Sequence, residues 1–250
     1  MPTRHTAAAR LTTQNLTGSS DHYTSQTREA LERLGFDDPY DPAFIYRSVF
    51  GSSIRGHAQI WPDIDFDVLR EINSDTVGWV HMDDTPLDYP VVKQHLDRSY
   101  YLTHNFSGEV SAHGQIVLDF RHGGSLDGKT IVLHGHQMHD WSMMHVITEM
   151  DDQAYFDAHP TVQIAHAGGI ITARWFAGAF FRWDDPWPAA VSFPDDAAYC
   201  SWLKRIGRRN RLSSTLAPEA GNRVLVCCTC SFEPGDCNAN GYALFAMIEG

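Results

Sequence analysis

Eight short apolar runs, separated by turn-forming residues, occupy the chain from residue 73 onward. Their length is typical of strands, and the Asp127-Gly128 pair between two of them is a common hairpin turn. The predicted strands cover residues 78–82, 89–93, 115–119, 130–134, 161–166, 169–182, 223–229 and 242–248. So many strands in one region predict a mainly β domain, either a closed barrel or a sandwich.

Helical spacing is clearest at residues 195–206, where Tyr199, Trp202 and Ile206 recur on one face and Gly207 marks a stop. Shorter helices are predicted at 25–34, 65–72 and 141–150. The sequence therefore divides into a flexible lead at 1–24, an N-terminal helical extension at 25–72 and a β domain at 73–250.

Charge and cysteine content exclude several classes of function. The 250-residue chain carries 19 Lys and Arg against 31 Asp and Glu, a net charge of −12, which argues against nucleic acid binding. Five cysteines are an odd number, so they do not form a complete disulfide framework. No segment reads as a signal peptide or a membrane span, so we expect any membrane anchor to be missing from this chain.

Two predicted strands end in residues that can do chemistry. His134 and His136 lie at the end of the 130–134 strand, and Cys228 and Cys230 at the end of the 223–229 strand. A thiol beside an imidazole is the basis of nucleophilic acyl transfer. In a second interpretation, these cysteines are buried residues of the core and the histidines are ordinary polar residues without a catalytic role. A zinc site of His134, His136 and Cys230 is a third interpretation, although the cysteines lack typical metal-ligand spacing.

A family resemblance covers about residues 65–250. It rests on segments 71–80, 87–92, 100–106 and 114–121, followed by His134-Gly135-His136-Gln137-Met138 and Cys228-Thr229-Cys230. In this order and at these spacings, the segments resemble class B sortases.

The resemblance implies an eight-stranded sortase-type β-barrel with N-terminal helices and a helix between strands six and seven, which 195–206 matches. It implies that Cys230 is the nucleophile and His136 the general acid and base, without cofactor or metal. Thr229, Ser231 and Trp183 would contact substrate. The implied partners are the sorting-signal peptide of a secreted protein and an amine from a cell-wall precursor or a pilin. The implied location is extracytoplasmic and membrane-associated.

The sequence departs from the family at one position. Sortases carry an arginine on the strand after the cysteine, but the last arginine here is Arg223, and the expected position reads Asn240 or Gly241. Loss of one oxyanion donor costs about 10²–10³ in rate. Three interpretations stay open: Asn240 substitutes as a neutral donor, Arg121 or Arg182 reaches the site, or the chain binds sorting signals without efficient turnover.

Overall fold

A computed structural model describes residues 64–93, 99–139, 141–231 and 241–250. The predicted flexible lead, the predicted helix at 25–34 and the candidate site residue Asn240 lie outside these ranges. The predicted division into three segments therefore stays a prediction.

Eight strands close into a barrel, which confirms the predicted mainly β fold. The strands are β1 (Thr76–His81), β2 (Asp88–Lys93), β3 (Ile116–Leu118), β4 (Thr130–His134), β5 (Thr161–His166), β6 (Gly169–Phe181), β7 (Arg223–Cys230) and β8 (Gly241–Ile248). Their order is β1-β2-β3-β4-β7-β8-β6-β5, and β5 pairs back onto β1. Only β2–β3 and β4–β7 run parallel among these pairs, and the second of them joins the two strands with candidate catalytic residues.

Four α-helices accompany the barrel in the described ranges: α1 (Phe66–Ile72), α2 (His145–Glu149), α3 (Gln153–Ala158) and α4 (Asp196–Arg209). Helix α2 begins later than predicted because Trp141 and Met143 adopt positive φ angles of 69° and 58°, which a right-handed helix does not allow. Helix α3 was not predicted. It begins after Asp152, whose side chain accepts a hydrogen bond from the Tyr155 amide.

Helix α4 lies between β6 and β7, as predicted, but Gly207 does not end it. The helix continues to Arg209 and stops at Asn210, whose backbone is extended. Its buried face of Tyr199, Trp202 and Ile206 joins the hydrophobic cluster that includes Val226 and Phe245. No helix within the described parts of the chain is long and apolar enough to span a membrane.

The segment between β6 and α4 is fastened to the barrel at three points. The Trp202 indole N–H donates to the Trp187 carbonyl at 2.9 Å. The Arg121 guanidinium donates to the Ala189 carbonyl at 2.6 Å, and the Thr130 hydroxyl donates to the Ala190 carbonyl at 2.7 Å. These bonds hold the segment beside the residues that follow β3 and beside the start of β4.

Candidate active site

The parallel pairing of β4 with β7 brings the two histidine- and cysteine-bearing segments together. Leu133 pairs with Cys227 and His134 with Cys228, and the Gly135 amide donates to the Cys228 carbonyl at 3.3 Å. His136 follows the paired residue His134 by two positions, and Cys230 follows its partner Cys228 by two. The segments that carry the predicted thiol and imidazole therefore leave the paired strands at the same end of the barrel, although 230 − 136 = 94 positions separate them in the sequence.

The pleat of β7 gives its three cysteines different environments. Cys228 is fully buried in the cluster beneath α4, and Cys227, on the opposite face, is fully buried as well. Cys230 ends the strand on the same side as Cys228 and is partly exposed as a free thiol. Burial raises the pKa of the Cys230 thiol above its ordinary value. Among the β7 cysteines, Cys230 is the one that a substrate can reach.

His136 is held by a backbone carbonyl. Its Nε2 lies 2.9 Å from the Leu102 oxygen, and a carbonyl only accepts hydrogen bonds, so Nε2 carries a proton. The opposite ring nitrogen, Nδ1, is left for proton exchange. Gly114 permits this arrangement: its φ is +59°, and a Cβ there would lie 3.1 Å from the His136 ring and would clash with the Tyr101 carbonyl.

Thr229 has a structural position that differs from the predicted substrate contact. Its side chain is fully buried, and its hydroxyl donates to the Gly135 carbonyl at 2.9 Å. The alternation of the strand turns Thr229 inward when Cys230 faces outward. Thr229 therefore joins the end of β7 to the turn that carries His136 and does not face a bound peptide.

The other two predicted substrate contacts lie on accessible parts of the site. Ser231 follows β7 directly and is partly exposed. Trp183 is 40% exposed, packs edge-on against Phe181 at 4.8 Å between ring centroids, and lies 6.4 Å from the His134 ring. A peptide lying over the ends of β4 and β7 can contact both residues.

A charged cluster flanks the site on the β3 side. Asp119 accepts hydrogen bonds from Arg121 Nε at 2.8 Å and Nη2 at 2.7 Å, and its Oδ2 lies 2.9 Å from His134 Nε2. Burial alone would raise the pKa of Asp119, but the hydrogen bonds from Arg121 and His134 lower this pKa well below its ordinary range. Asp119 is therefore a buried carboxylate that stays ionised and ties His134 to Arg121.

The structure restricts the replacements for the missing arginine. Arg121 is held by Asp119 and the Ala189 carbonyl, and Arg182 Nε donates to Asp184 at 2.7 Å, so neither guanidinium extends to Cys230 in this conformation. Gly241 pairs with Cys230, and a Cβ at Gly241 would lie 2.5 Å from the Phe181 ring. A side chain at 241 therefore has no room unless Phe181 moves.

Sequence reasoning did not assign roles to Leu102, Asp119 or Phe181. The first two lie in segments 100–106 and 114–121, which carry the family resemblance, so their position was a usable signal. In the sequence, Phe181 is simply an apolar residue of a predicted strand, and nothing there indicates that its ring lies against Gly241.

The zinc interpretation requires the side chains of His134, His136 and Cys230 to converge on one metal ion. His134 Nε2 is paired with Asp119, and His136 Nε2 with the Leu102 carbonyl. Within the ranges that the structure describes, no group of three or more His, Cys, Asp or Glu side chains is arranged to hold a metal ion.

Comparisons with known proteins agree on one family. No protein-family model matches the chain. Sortase B of Listeria monocytogenes is 28% identical over 165 residues, which are 66% of this chain and 66% of that protein. Sortase B of Staphylococcus aureus is 26% identical over 165 residues, 66% of this chain and 67% of that protein. The chain thus spans about two thirds of the length of these curated relatives.

Solved structures of sortase B have the same fold. The Clostridium perfringens enzyme aligns with a TM-score of 0.67 at 26% identity, covering 74% of this chain and 100% of that one. The Staphylococcus aureus enzyme, solved as a substrate complex, aligns with a TM-score of 0.68 at 22% identity, covering 89% of this chain and 98% of that one. In both sequence and fold, the chain is similar to the class B sortases.

Proposed function

We propose that the chain is a cysteine transpeptidase that cleaves a sorting signal near the C-terminus of a secreted protein and transfers the new acyl end to an amine. The observation that supports this proposal is the parallel β4–β7 pairing, because His136 and the partly exposed Cys230 follow the paired ends of these two strands. The two buried cysteines of β7 have no access to a peptide.

The reaction runs through a thioacyl-enzyme. The Cys230 thiolate attacks the scissile carbonyl carbon, and the carbonyl π electrons move onto oxygen. When this intermediate collapses, the C–N bond breaks and the leaving amine takes a proton from His136. The acceptor amine then attacks the thioester and loses a proton to His136, and the C–S bond breaks to regenerate the Cys230 thiolate.

The surroundings of the two residues fit these roles. Because burial raises the pKa of Cys230, the thiol holds its proton at neutral pH and needs a nearby base to remove it. The Leu102 carbonyl keeps Nε2 of His136 protonated, so proton exchange takes place at Nδ1. Thr229 and the Gly135 carbonyl hold the two strand ends in register.

The substrates follow from the family. The Staphylococcus aureus sortase B has been solved with a substrate, and Trp183 and Ser231 provide accessible surface beside Cys230 here. We infer that the acyl donor is the sorting-signal peptide of a secreted protein and that the acceptor is an amine of a cell-wall precursor or a pilin. This function requires a location outside the cytoplasmic membrane.

One observation favours a second candidate, a sortase-fold module that binds sorting signals without efficient turnover. No arginine or lysine follows Cys230 in the sequence, and Phe181 occupies the space next to Gly241. A site without a strong oxyanion donor binds the peptide and reacts slowly.

Mass spectrometry separates the two candidates. The full chain is incubated with a panel of sorting-signal peptides, with and without an amine acceptor. We expect a thioacyl adduct on Cys230, a cleaved peptide and an amine-dependent product. Cys230→Ala should abolish all three. Cys200→Ala removes another partly exposed thiol and should leave them unchanged. Peptide binding without any Cys230-dependent product would favour the binding module.

A further inference from the structure

The acyl-transfer step proposed above needs a hydrogen-bond donor for the substrate oxygen that becomes negatively charged. The β8 side of Cys230 offers none among the described residues, because Gly241 has no side chain and the Phe181 ring lies against it. The guanidinium groups of Arg121 and Arg182 are already paired with Asp119 and Asp184. The β4 side of the thiol offers a side-chain N–H donor of its own, His134.

His134 lies on the opposite side of the thiol from Gly241. His134 is the last residue of β4 and pairs with Cys228 on the neighbouring strand β7. Cys230 lies two residues after Cys228 on that strand. Cys228 and Cys230 lie two residues apart on β7 and therefore share a face, and His134, which pairs with Cys228, lies on the same face of β4. The His134 side chain is 28% exposed, so a ligand over the site can reach it.

Asp119 fixes the orientation of the His134 ring. A carboxylate only accepts hydrogen bonds, so the 2.9 Å contact places a proton on Nε2 of His134. Its other nitrogen, Nδ1, makes no hydrogen bond within the described residues. When the ring is protonated, Nδ1 becomes a second N–H donor.

We propose that His134, oriented by Asp119, donates a hydrogen bond from Nδ1 to the substrate acyl oxygen as Cys230 attacks. This inference rests on the proposed function and adds a residue to it. His134 is a catalytic residue, and Asp119 is a positioning residue that acts through it. The imidazolium replaces, from the β4 side, the positive charge that an arginine on β8 would supply.

The proposal predicts a pH dependence that belongs to His134. The charged and titratable groups around its ring are Asp119, Arg121 and His122 from the segment after β3, and Cys228 from β7. As pH rises and the ring loses its proton, Nδ1 changes from donor to acceptor, and stabilisation of the acyl oxygen is lost.

Two reactions of the same thiol test the proposal. Acetylation of Cys230 by p-nitrophenyl acetate passes through a tetrahedral oxyanion, and its leaving group needs no proton. Alkylation by iodoacetamide has no oxyanion. Both require the thiolate, so the ratio of the acetylation rate to the alkylation rate isolates the oxyanion donor. Both modifications are quantified at Cys230 by peptide mapping of the full chain, which separates any reaction at Cys200.

We expect His134→Phe to lower this ratio by about 10²-fold, the usual effect of removing one oxyanion donor. Alkylation should change less than about threefold, which also shows that the variant is folded around Cys230. His134→Gln keeps a side-chain N–H donor and should recover at least about tenfold of the loss. In the unmodified sequence, the ratio should fall as pH rises, and this fall should be absent from His134→Phe. His166→Phe, in the β5–β6 hairpin, is the matched control.

An unchanged ratio in His134→Phe, or a pH-independent ratio in the unmodified sequence, would overturn the proposal. An equal loss of acetylation and alkylation would overturn it as well, because His134 would then act on the thiol. The ester carries no sorting signal. A His134-dependent ratio without any peptide product would therefore refute transpeptidation and leave the role of His134 intact.

Discussion

Gly241 is the position where a single added methyl group should have a measurable cost. Its Cβ would lie 2.5 and 2.6 Å from two atoms of the Phe181 ring, closer than carbon atoms approach in proteins. Phe181 is only 2% exposed, so its ring has little space into which to move. Overpacking of this kind costs about 1–3 kcal/mol. For a domain of this size, Gly241→Ala should therefore lower Tm by about 2–12 °C.

Thermal and urea unfolding followed by circular dichroism measure this effect. Gly207→Ala is the control of opposite sign: Gly207 lies inside α4 with no atom within 4 Å of an added Cβ, so alanine should stabilise the protein by about 0.5–1 kcal/mol. Combining Gly241→Ala with Phe181→Leu should cost at least about 1 kcal/mol less than the sum of the two single changes. A Gly241→Ala protein as stable as the parent, or strict additivity, would refute the clash.

Two further predictions concern buried hydrogen bonds. Thr229→Val keeps the shape of the side chain but leaves the partly buried Gly135 carbonyl without its 2.9 Å partner, so we expect a loss of about 0.5–1.5 kcal/mol in urea unfolding; an unchanged stability would contradict this role. Asp119→Asn should cost about 1–3 kcal/mol at pH 7, because the ionised carboxylate accepts bonds from Arg121 and His134. The lowered pKa of Asp119 stabilises the folded state above the unfolded pKa of about 4, and this contribution disappears as pH falls below that range, so the two proteins should converge in acid. A stability difference that is constant from pH 7 to pH 3 would contradict the assignment.

The strands were predictable because each is a short apolar run with its own turn residues. The predicted strand at 130–134 matches β4, and the predicted strand at 161–166 matches β5. Helix ends were less predictable. Gly207 suggested a stop, but the buried face of α4 and the cations of its last turn, Arg208 and Arg209, carry the helix two residues further.

The site was predictable only in part. Cys230 and His136 were predicted from the family resemblance, and the parallel pairing of the strands that precede them is encoded by no local pattern. Thr229 was expected to contact substrate because it adjoins the nucleophile, but the pleat directs neighbouring residues to opposite faces. The pairing of Asp119 with His134 joins residues on different strands, so the sequence alone does not reveal it.

The place of β7 between β4 and β8 has a consequence for the protein during synthesis. Strand β8 follows β7 in the chain and pairs with it from Arg223 to Cys230, so a nascent chain that ends before residue 241 leaves one edge of β7 open. Cys227 and Cys228, fully buried in the complete barrel, are then exposed to oxidants together with Cys230. The interval before β8 docks is therefore the period in which these thiols are most easily oxidised or cross-linked. Release into an oxidising compartment is therefore safest after β8 has closed the barrel.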